Sequence, residues 1–299
     1  MAQEPAVMAK PTLPNFIIPG AQKGGTTFLY NVLKQHPEVS LSTVKEVHFF
    51  DIEEHFARGL DYYATFFDNR EGRPAVGEAT PNYLMYPHVA GRIREALGPE
   101  IKLIFILRHP VDRAFSQFVM SLSGESLHQN LTDADFPRVL EYTFTNGAAV
   151  GYGPSGLYAA QIERYFDLFP REHTLTLIFE EDVRGGADAA LDKVCRFLGI
   201  RPHRFDTEVE RNPAGAPKIR AINRIIFDDA SPIKRAAKAL VRSTVLRDRL
   251  RHKVLEMNRA PRKYKLDPDL RKEIFVRYYK DDVARLEEIL GRDLSCWRD

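Results

Sequence analysis

Residues 15–35 read NFIIPGAQKGGTTFLYNVLKQ, and the fold is decided there. NFIIP is a short apolar run of strand character, and from Thr26 onward the apolar residues recur at helical spacing. A glycine-rich turn, GAQKGG, joins the two. A strand that runs through glycines into a helix makes an anion site. The glycines admit close backbone approach, successive N–H groups turn inward, and the helix start adds partial positive charge. Gln22, Lys23, Gly24, Gly25, Thr26 and Thr27 are the candidate ligand-holding residues, with Lys23 supplying a full charge. The spacing departs from the triphosphate loop GxxxxGK[ST]. Gly20 and Gly25 keep the four-residue gap, but Thr26 stands where the Lys belongs and the Lys is at position 23. Magnesium-dependent ATP hydrolysis is therefore disfavoured, and a less charged phosphate group, held without a metal, is favoured.

Working outward, residues 75–78 (AVGE), 102–107 (KLIFIL) and 174–179 (TLTLIF) read as further buried strands. Segments 87–97, 111–122, 156–169 and 187–198 read as helices between and after them. The alternation predicts an α/β protein: a P-loop-like three-layer fold with a central parallel sheet flanked by helices. At 299 residues, 44% hydrophobic and 28% charged, the chain is expected to form a single domain over 1–299. Its N-terminus, 1–14, is expected to be flexible. Residues 207–265 are expected to hold a polar loop or lid and then a basic helical segment, with an amphipathic helix at 233–257 and a closing helix at 268–290. No apolar run reaches the roughly 18 residues of a membrane span, and only two cysteines occur without metal-ligand spacing, so a cytoplasmic location is expected.

Two further segments carry chemistry. KLIFILRHPVDRAFS (102–116) is a buried strand, a Pro turn and a helix, which puts Arg108 at the sheet's carboxyl edge, where open α/β sheets bind ligands. Arg108 offers a forked donor to a phosphate monoester, and Ser116 a hydroxyl about two turns into the helix. Arg113 is either a further contributor or a solvated helix residue. In KEVHFFD (45–51), extended chain would turn Glu46 and His48 to one side and Val47 and Phe49 to the other, placing two proton-transfer groups on one face.

Taken together, these motifs resemble those of sulfotransferases that use 3′-phosphoadenosine 5′-phosphosulfate (PAPS), in particular the branch of the heparan sulfate N- and 3-O-sulfotransferases. GAQKGGTT is similar to that family's 5′-phosphosulfate loop, and Arg108 and Ser116 match positions that hold the 3′-phosphate. EVHFFD resembles the segment in which Glu is the catalytic base. The resemblance implies Glu46 as base, Lys23 as the group neutralising the departing phosphate oxygen, and His48, Asp51 and Tyr83 as acceptor contacts. It also implies that Lys218 and Arg220 close over the nucleotide. PAPS is then the donor, 3′-phosphoadenosine 5′-phosphate (PAP) the product, and no metal is required. Ala79 and Thr27 depart from the heparan enzymes, which carry Lys and Arg there, and both departures argue against heparan itself as acceptor. A saccharide, lipid, carrier-bound chain or small metabolite remains open, as does oligomeric state.

The net charge of +2 conceals a basic stretch, with 15 Lys or Arg against 4 Asp or Glu between Lys218 and Lys265. It is either a solvated basic helix or a surface for an anionic partner, including peripheral contact with a membrane. Nucleic acid is not expected, because aromatic residues are not interleaved with the charges. Two other function classes share these features: a small-molecule kinase, and a non-catalytic nucleotide or anion binder.

Overall fold

The structure is a computed structural model that describes residues 12–67, 72–122, 131–146, 151–208, 215–217, 259–261 and 264–298. Lys218, Arg220 and the helix expected at 233–257 lie outside the described residues. The chain divides into two compact units.

The first comprises the described residues within Met1–His109, Leu157–Arg211 and Asp281–Asp299. Its centre is a parallel sheet of β1 (Phe16–Gly20), β2 (Val39–Leu41), β3 (Ala75–Ala79), β4 (Lys102–Leu107) and β5 (Thr174–Ile178) in the order β2-β3-β1-β4-β5. Every residue of β1 and β3 is buried, as continuous apolar strands covered on both faces must be. From β1 the chain passes to the edge strand β2, returns to β3 beside β1, then crosses to β4 and β5 on the other side. The carboxyl ends of β1 and β4 thus form the topological switch point where such sheets bind ligands.

On one face, α1 (Thr26–Leu33) and α8 (Ala187–Leu198) bury Leu29, Val32, Leu191 and Val194 in a cluster with Phe16, Ile18, Ile104 and Ile106. Helix α1 ends at Leu33, within the stretch from Thr26 whose apolar residues recur at helical spacing. Gln35 there trades hydrogen bonds with the Asp206 backbone, at 3.0 and 2.9 Å, instead of extending the helix. On the other face α7 (Ala159–Phe166) sets Tyr165 edge-on against Phe105, with ring centroids 5.1 Å apart. Between β3 and β4 the chain forms α4 (Val89–Leu97). The three-layer parallel architecture agrees with the sequence reading.

The second unit comprises the described residues within Pro110–Gly156 and Asn212–Lys280. It contains α5 (Pro110–Leu122), α6 (Phe136–Thr145) and α9 (Pro268–Tyr278), plus an antiparallel pair, β6 (Gly215–Pro217) and β7 (Arg259–Pro261). Phe136 packs on Phe115 and Phe118, and Arg271 bonds Asp112 at 3.0 Å. Arg113 is fully buried and donates to Gln117 and to the Tyr152 carbonyl, so it serves packing rather than solvent.

Elements too short for periodicity were not foreseen: β2, α2 (Glu53–Phe56), α3 (Gly59–Ala64), and the strands β6 and β7 where a loop and a basic helical segment were expected. The closing helix divides into α9 and α10 (Lys280–Leu290), because Tyr279 leaves helical geometry at φ −124° and spends its hydroxyl on the Gly153 carbonyl, 3.1 Å away.

Phe105 is fully buried between strands and α7. Phe105→Ala is expected to remove about 3–5 kcal/mol of stability, read from the urea midpoint. A loss below about 1 kcal/mol would contradict its central place.

Candidate functional site

The glycine-rich loop is pinned to β4. The Ala21 N–H donates to the Ile106 carbonyl at 2.9 Å, and the Gly24 N–H to the Ala21 carbonyl at 2.9 Å. A Cβ on Gly24 would stand 2.3 Å from the Ile106 oxygen and 2.9 Å from that of Ala21, backbone atoms that cannot step aside. Gly25 starts α1 at φ 117°, where a side chain would be strained and would strike the Phe179 ring at 2.8 Å. Helix α1 has no side-chain cap and no acidic residue in its first turn, so nothing within the helix cancels the partial positive charge of its N-terminus. Gln22 keeps a buried side-chain oxygen with no hydrogen-bond partner, an acceptor that an N–H or O–H of a ligand, not a phosphate oxygen, would satisfy. Lys23 is half-buried and Thr26 buried, while Thr27 is partly exposed. The loop fits a phosphate-bearing ligand.

Arg108 follows β4 at the same edge. Its guanidinium lies 5.3 Å from the centre of the Phe179 ring that also abuts Gly25, so one aromatic side chain bridges loop and arginine. The turn is held from behind. Tyr158 donates its hydroxyl to the Arg108 carbonyl at 3.0 Å, and Glu180 accepts from the His109 N–H at 3.1 Å and the Trp297 indole N–H at 2.8 Å. Sequence reasoning missed Glu180 and Trp297, since neither lies in a motif. Ser116 sits half-buried on α5, in the second unit.

Residues 45–51 form the third part. They are not extended as expected: Glu46 and His48 adopt φ of 65° and 54°. Val47 and Phe49 are nonetheless buried and Glu46 and His48 only partly so, which preserves the expected alternation of sides. Among the described residues, the non-glycine positions with positive φ are Lys23, Glu46 and His48, the three catalytic candidates. Such conformations cost about 1–3 kcal/mol each and persist where the surroundings impose them.

His48 Nδ1 lies 2.8 Å from Asp51 Oδ2, and His48 Nε2 lies 3.7 Å from Glu46 Oε2. Lys45 donates to the other Glu46 oxygen. Hydrogen bonding to Asp51 and then Glu46 outweighs burial and raises His48 to about 9. Burial alone would raise Glu46, but the His48 and Lys45 contacts prevail and hold it near a pKa of about 2. At neutral pH Glu46 is therefore a carboxylate and His48 an imidazolium. The Asp51 side chain is 3% exposed, and its Oδ1 is buried without a partner.

The structure thus joins Glu46, His48 and Asp51 in one cluster and places residues 22–25 on the glycine-rich loop with Thr26 and Thr27 in the first turn of α1. Tyr83, expected to contact the acceptor, is fully buried: its hydroxyl donates to Glu78 and accepts from the Phe49 N–H at 2.9 Å, so it has no surface to offer a substrate. Ala79 is also fully buried on β3. Lys218 and Arg220 lie outside the described residues. No helix among the described residues is long and apolar enough to cross a membrane.

Fold and loop define an α/β protein built to hold a phosphorylated ligand at the carboxyl edge of its sheet. Residues 13–216 match the family model described as sulfotransferase domain, which is more than half of the chain. The chain belongs to the sulfotransferase family, an enzyme family whose standard donor is PAPS. It is 40% identical over 113 residues to the membrane-associated sulfotransferase kil1 of Dictyostelium discoideum, covering 37% of this chain and 23% of that protein. It is 32% identical over 188 residues to human heparan sulfate glucosamine 3-O-sulfotransferase 6, covering 63% of this chain and 53% of that protein. The chain thus spans about half, or less, of these curated relatives. A crystal structure of a sulfotransferase from Alicyclobacillus acidocaldarius superposes with a TM-score of 0.68 at 30% identity, over 96% of this chain and 100% of that one.

The charge cluster has a pH signature. His48 contributes stability that is complete below its ordinary value of 6.5 and is lost as pH rises through about 9. Glu46 contributes stability that is complete above 4.5 and is lost as pH falls through about 2. His48→Gln is expected to abolish the part of the decline in Tm between pH 6.5 and 9 that wild type owes to this group. Parallel Tm curves for the two proteins over that range would count against the cluster.

Proposed function

We propose that the protein transfers the sulfuryl group of PAPS to an acceptor hydroxyl by in-line displacement. The carrying observation is the glycine loop pinned under Ile106, with Lys23 on it and Arg108 at the same sheet edge. Backbone amides of residues 22–27 and Lys23 would hold the 5′-phosphosulfate, and Arg108 the 3′-phosphate. The donor supplies an electrophilic sulfur and a phosphate leaving group. The acceptor oxygen bonds to sulfur as the bond from sulfur to the bridging oxygen breaks. Lys23 neutralises charge growing on that oxygen, and Glu46, ionised at neutral pH, takes the hydroxyl proton. His48 and Asp51 orient Glu46 and contact the acceptor. No residue here serves to coordinate a metal in this reading.

The heparan relatives support a saccharide acceptor, while Thr27 removes a positive charge that a sulfated chain would meet. The buried Ala79 marks a second departure, but one set in the core. A lipid, carrier-bound or small-molecule acceptor uses the same donor site. A cytoplasmic location is part of the reading, supported by two free cysteines. Membrane contact through the basic stretch rests on its charge alone.

Transfer of labelled sulfate from PAPS to an acceptor library tests the reaction. Lys23→Ala and Glu46→Gln are each expected to lower kcat by about 10²- to 10⁴-fold. Full activity in both variants would defeat the mechanism. Calorimetry separates the alternatives: PAP binding without magnesium supports a sulfotransferase, magnesium-dependent ATP binding a kinase. PAP binding with no transfer to any acceptor would indicate a binder.

A further inference from the structure

Glu78, the penultimate residue of β3, is a fully buried carboxyl with no surface at which it could meet a substrate. Three hydroxyls donate to it: Tyr63 at 2.5 Å and Tyr83 at 3.2 Å to Oε1, and Thr80 at 2.5 Å to Oε2. Because Tyr83 and Thr80 spend their protons on Glu78, their oxygens face outward as acceptors only. The Tyr83 oxygen receives the N–H groups of Phe49 and Phe50 at 2.9 and 3.4 Å, and the Thr80 oxygen lies 3.5 Å from the N–H of His48. The neighbouring Ala79 carbonyl takes the Glu46 N–H at 3.1 Å. Four amides of the loop that carries the acceptor-side charges are thereby tied to residues 79–83, and two of the loop residues stand at positive φ.

We infer that Glu78 is a positioning residue for the transfer reaction: by orienting the Thr80 and Tyr83 hydroxyls it holds residues 46–50 in the left-handed geometry that places Glu46 and His48. The inference rests on the sulfotransferase reading of the Glu46 loop, and it assigns Glu78 no contact with donor or acceptor.

The device responds to protonation. An ionised Glu78 can accept from all three hydroxyls at once. A protonated one must place its own proton on one of its partners, and that hydroxyl then loses its acceptor and turns. Burial dominates over the three hydrogen bonds and pushes Glu78 up to about 7. The titratable groups facing it are Tyr63 of α3, Tyr83 of the turn after β3, Tyr30 of α1 and Asp51 of the loop. The tyrosines are held neutral by burial, each with its value raised, and the Asp51 charge works in the same upward direction as burial. The organised loop therefore belongs to the ionised form, and kcat is expected to rise with pH through about 7.

Glu78→Gln keeps the volume but fixes one donor and one acceptor. It is expected to lower kcat by about 10- to 100-fold, in line with what small displacements of reacting groups cost. The limb near pH 7 should disappear and the Kd for PAP should remain within about twofold of wild type. Tyr83→Phe, which deletes the tie to Phe49 and Phe50 while leaving the carboxyl in place, should lower kcat similarly. Hydrogen exchange followed by mass spectrometry gives a readout independent of reaction: peptides covering residues 43–56 should exchange faster in both variants, while those of the glycine loop should not. Unchanged exchange at 43–56, or a wild-type kcat and pH profile in folded Glu78→Gln, overturns the inference. A general loss of protection and of PAP binding in both variants would also overturn it, reducing Glu78 to a core residue. Absence of transfer by the wild-type enzyme would instead remove the sulfotransferase reading, and the exchange result would still decide whether Glu78 holds the loop.

Discussion

The carbonyl oxygen of Ile106 is the point on which the donor side turns. It accepts the Ala21 N–H and lies so close to the Gly24 α-carbon that no side chain fits between them. A strand carbonyl at a sheet's carboxyl edge would ordinarily continue the ladder or meet water. Here it anchors the first turn after β1, which forces Lys23 into a left-handed conformation and presents the start of α1 to the same edge. The switch-point topology puts the edge there, and the hydrogen bond gives it the shape of a phosphate loop. Phe179 carries the same constraint outward, touching Gly25 on one side and approaching the Arg108 guanidinium on the other.

The acceptor side is organised by the same means one strand away. Where β1 feeds the glycine loop, β3 feeds the turn that anchors residues 46–50, and in both cases a backbone strained at a charged residue is held by hydrogen bonds to a strand end. Strain of about 1–3 kcal/mol per residue is small against the burial energy of a five-stranded sheet, so a rigid scaffold can keep it in place. Charges on flexible chain would lose the mutual orientation that a transfer reaction requires.

The sequence was most legible where one local rule acted alone. Strand β4 coincides with the apolar run KLIFIL, because a parallel strand buried on both faces needs continuous hydrophobicity. Helix α8 likewise matches its prediction at both ends. The glycine loop could be read because its residues must lie together in sequence to act together in space. The Glu46 loop was only half legible. Its alternation of sides was visible, but the turns at Glu46 and His48 depend on partners at 79, 80 and 83, which no periodicity links to position 46. The expectation of an acceptor contact at Tyr83 rests on the family resemblance, which carries no mark of the burial the structure shows there. The Glu180 and Trp297 support of the Arg108 turn spans 117 positions of sequence, beyond any local signal.

Glu46 is ionised but weakly basic, with Lys45 and His48 holding its value near about 2, and this bears on when the proton moves. A carboxylate so stabilised gains little by deprotonating a free alcohol, because the alcohol is by far the weaker acid. Once the alcohol oxygen has begun to bond to sulfur, its proton becomes strongly acidic, and even a poor base removes it downhill. The cluster therefore suits transfer in which sulfur–oxygen bonding leads and proton removal follows. In the transfer proposed above the barrier would then be set by charge developing on the leaving oxygen, so Lys23 and the amides of the glycine loop would carry the larger share of the catalysis, and Glu46 would serve chiefly to receive a proton already on its way out.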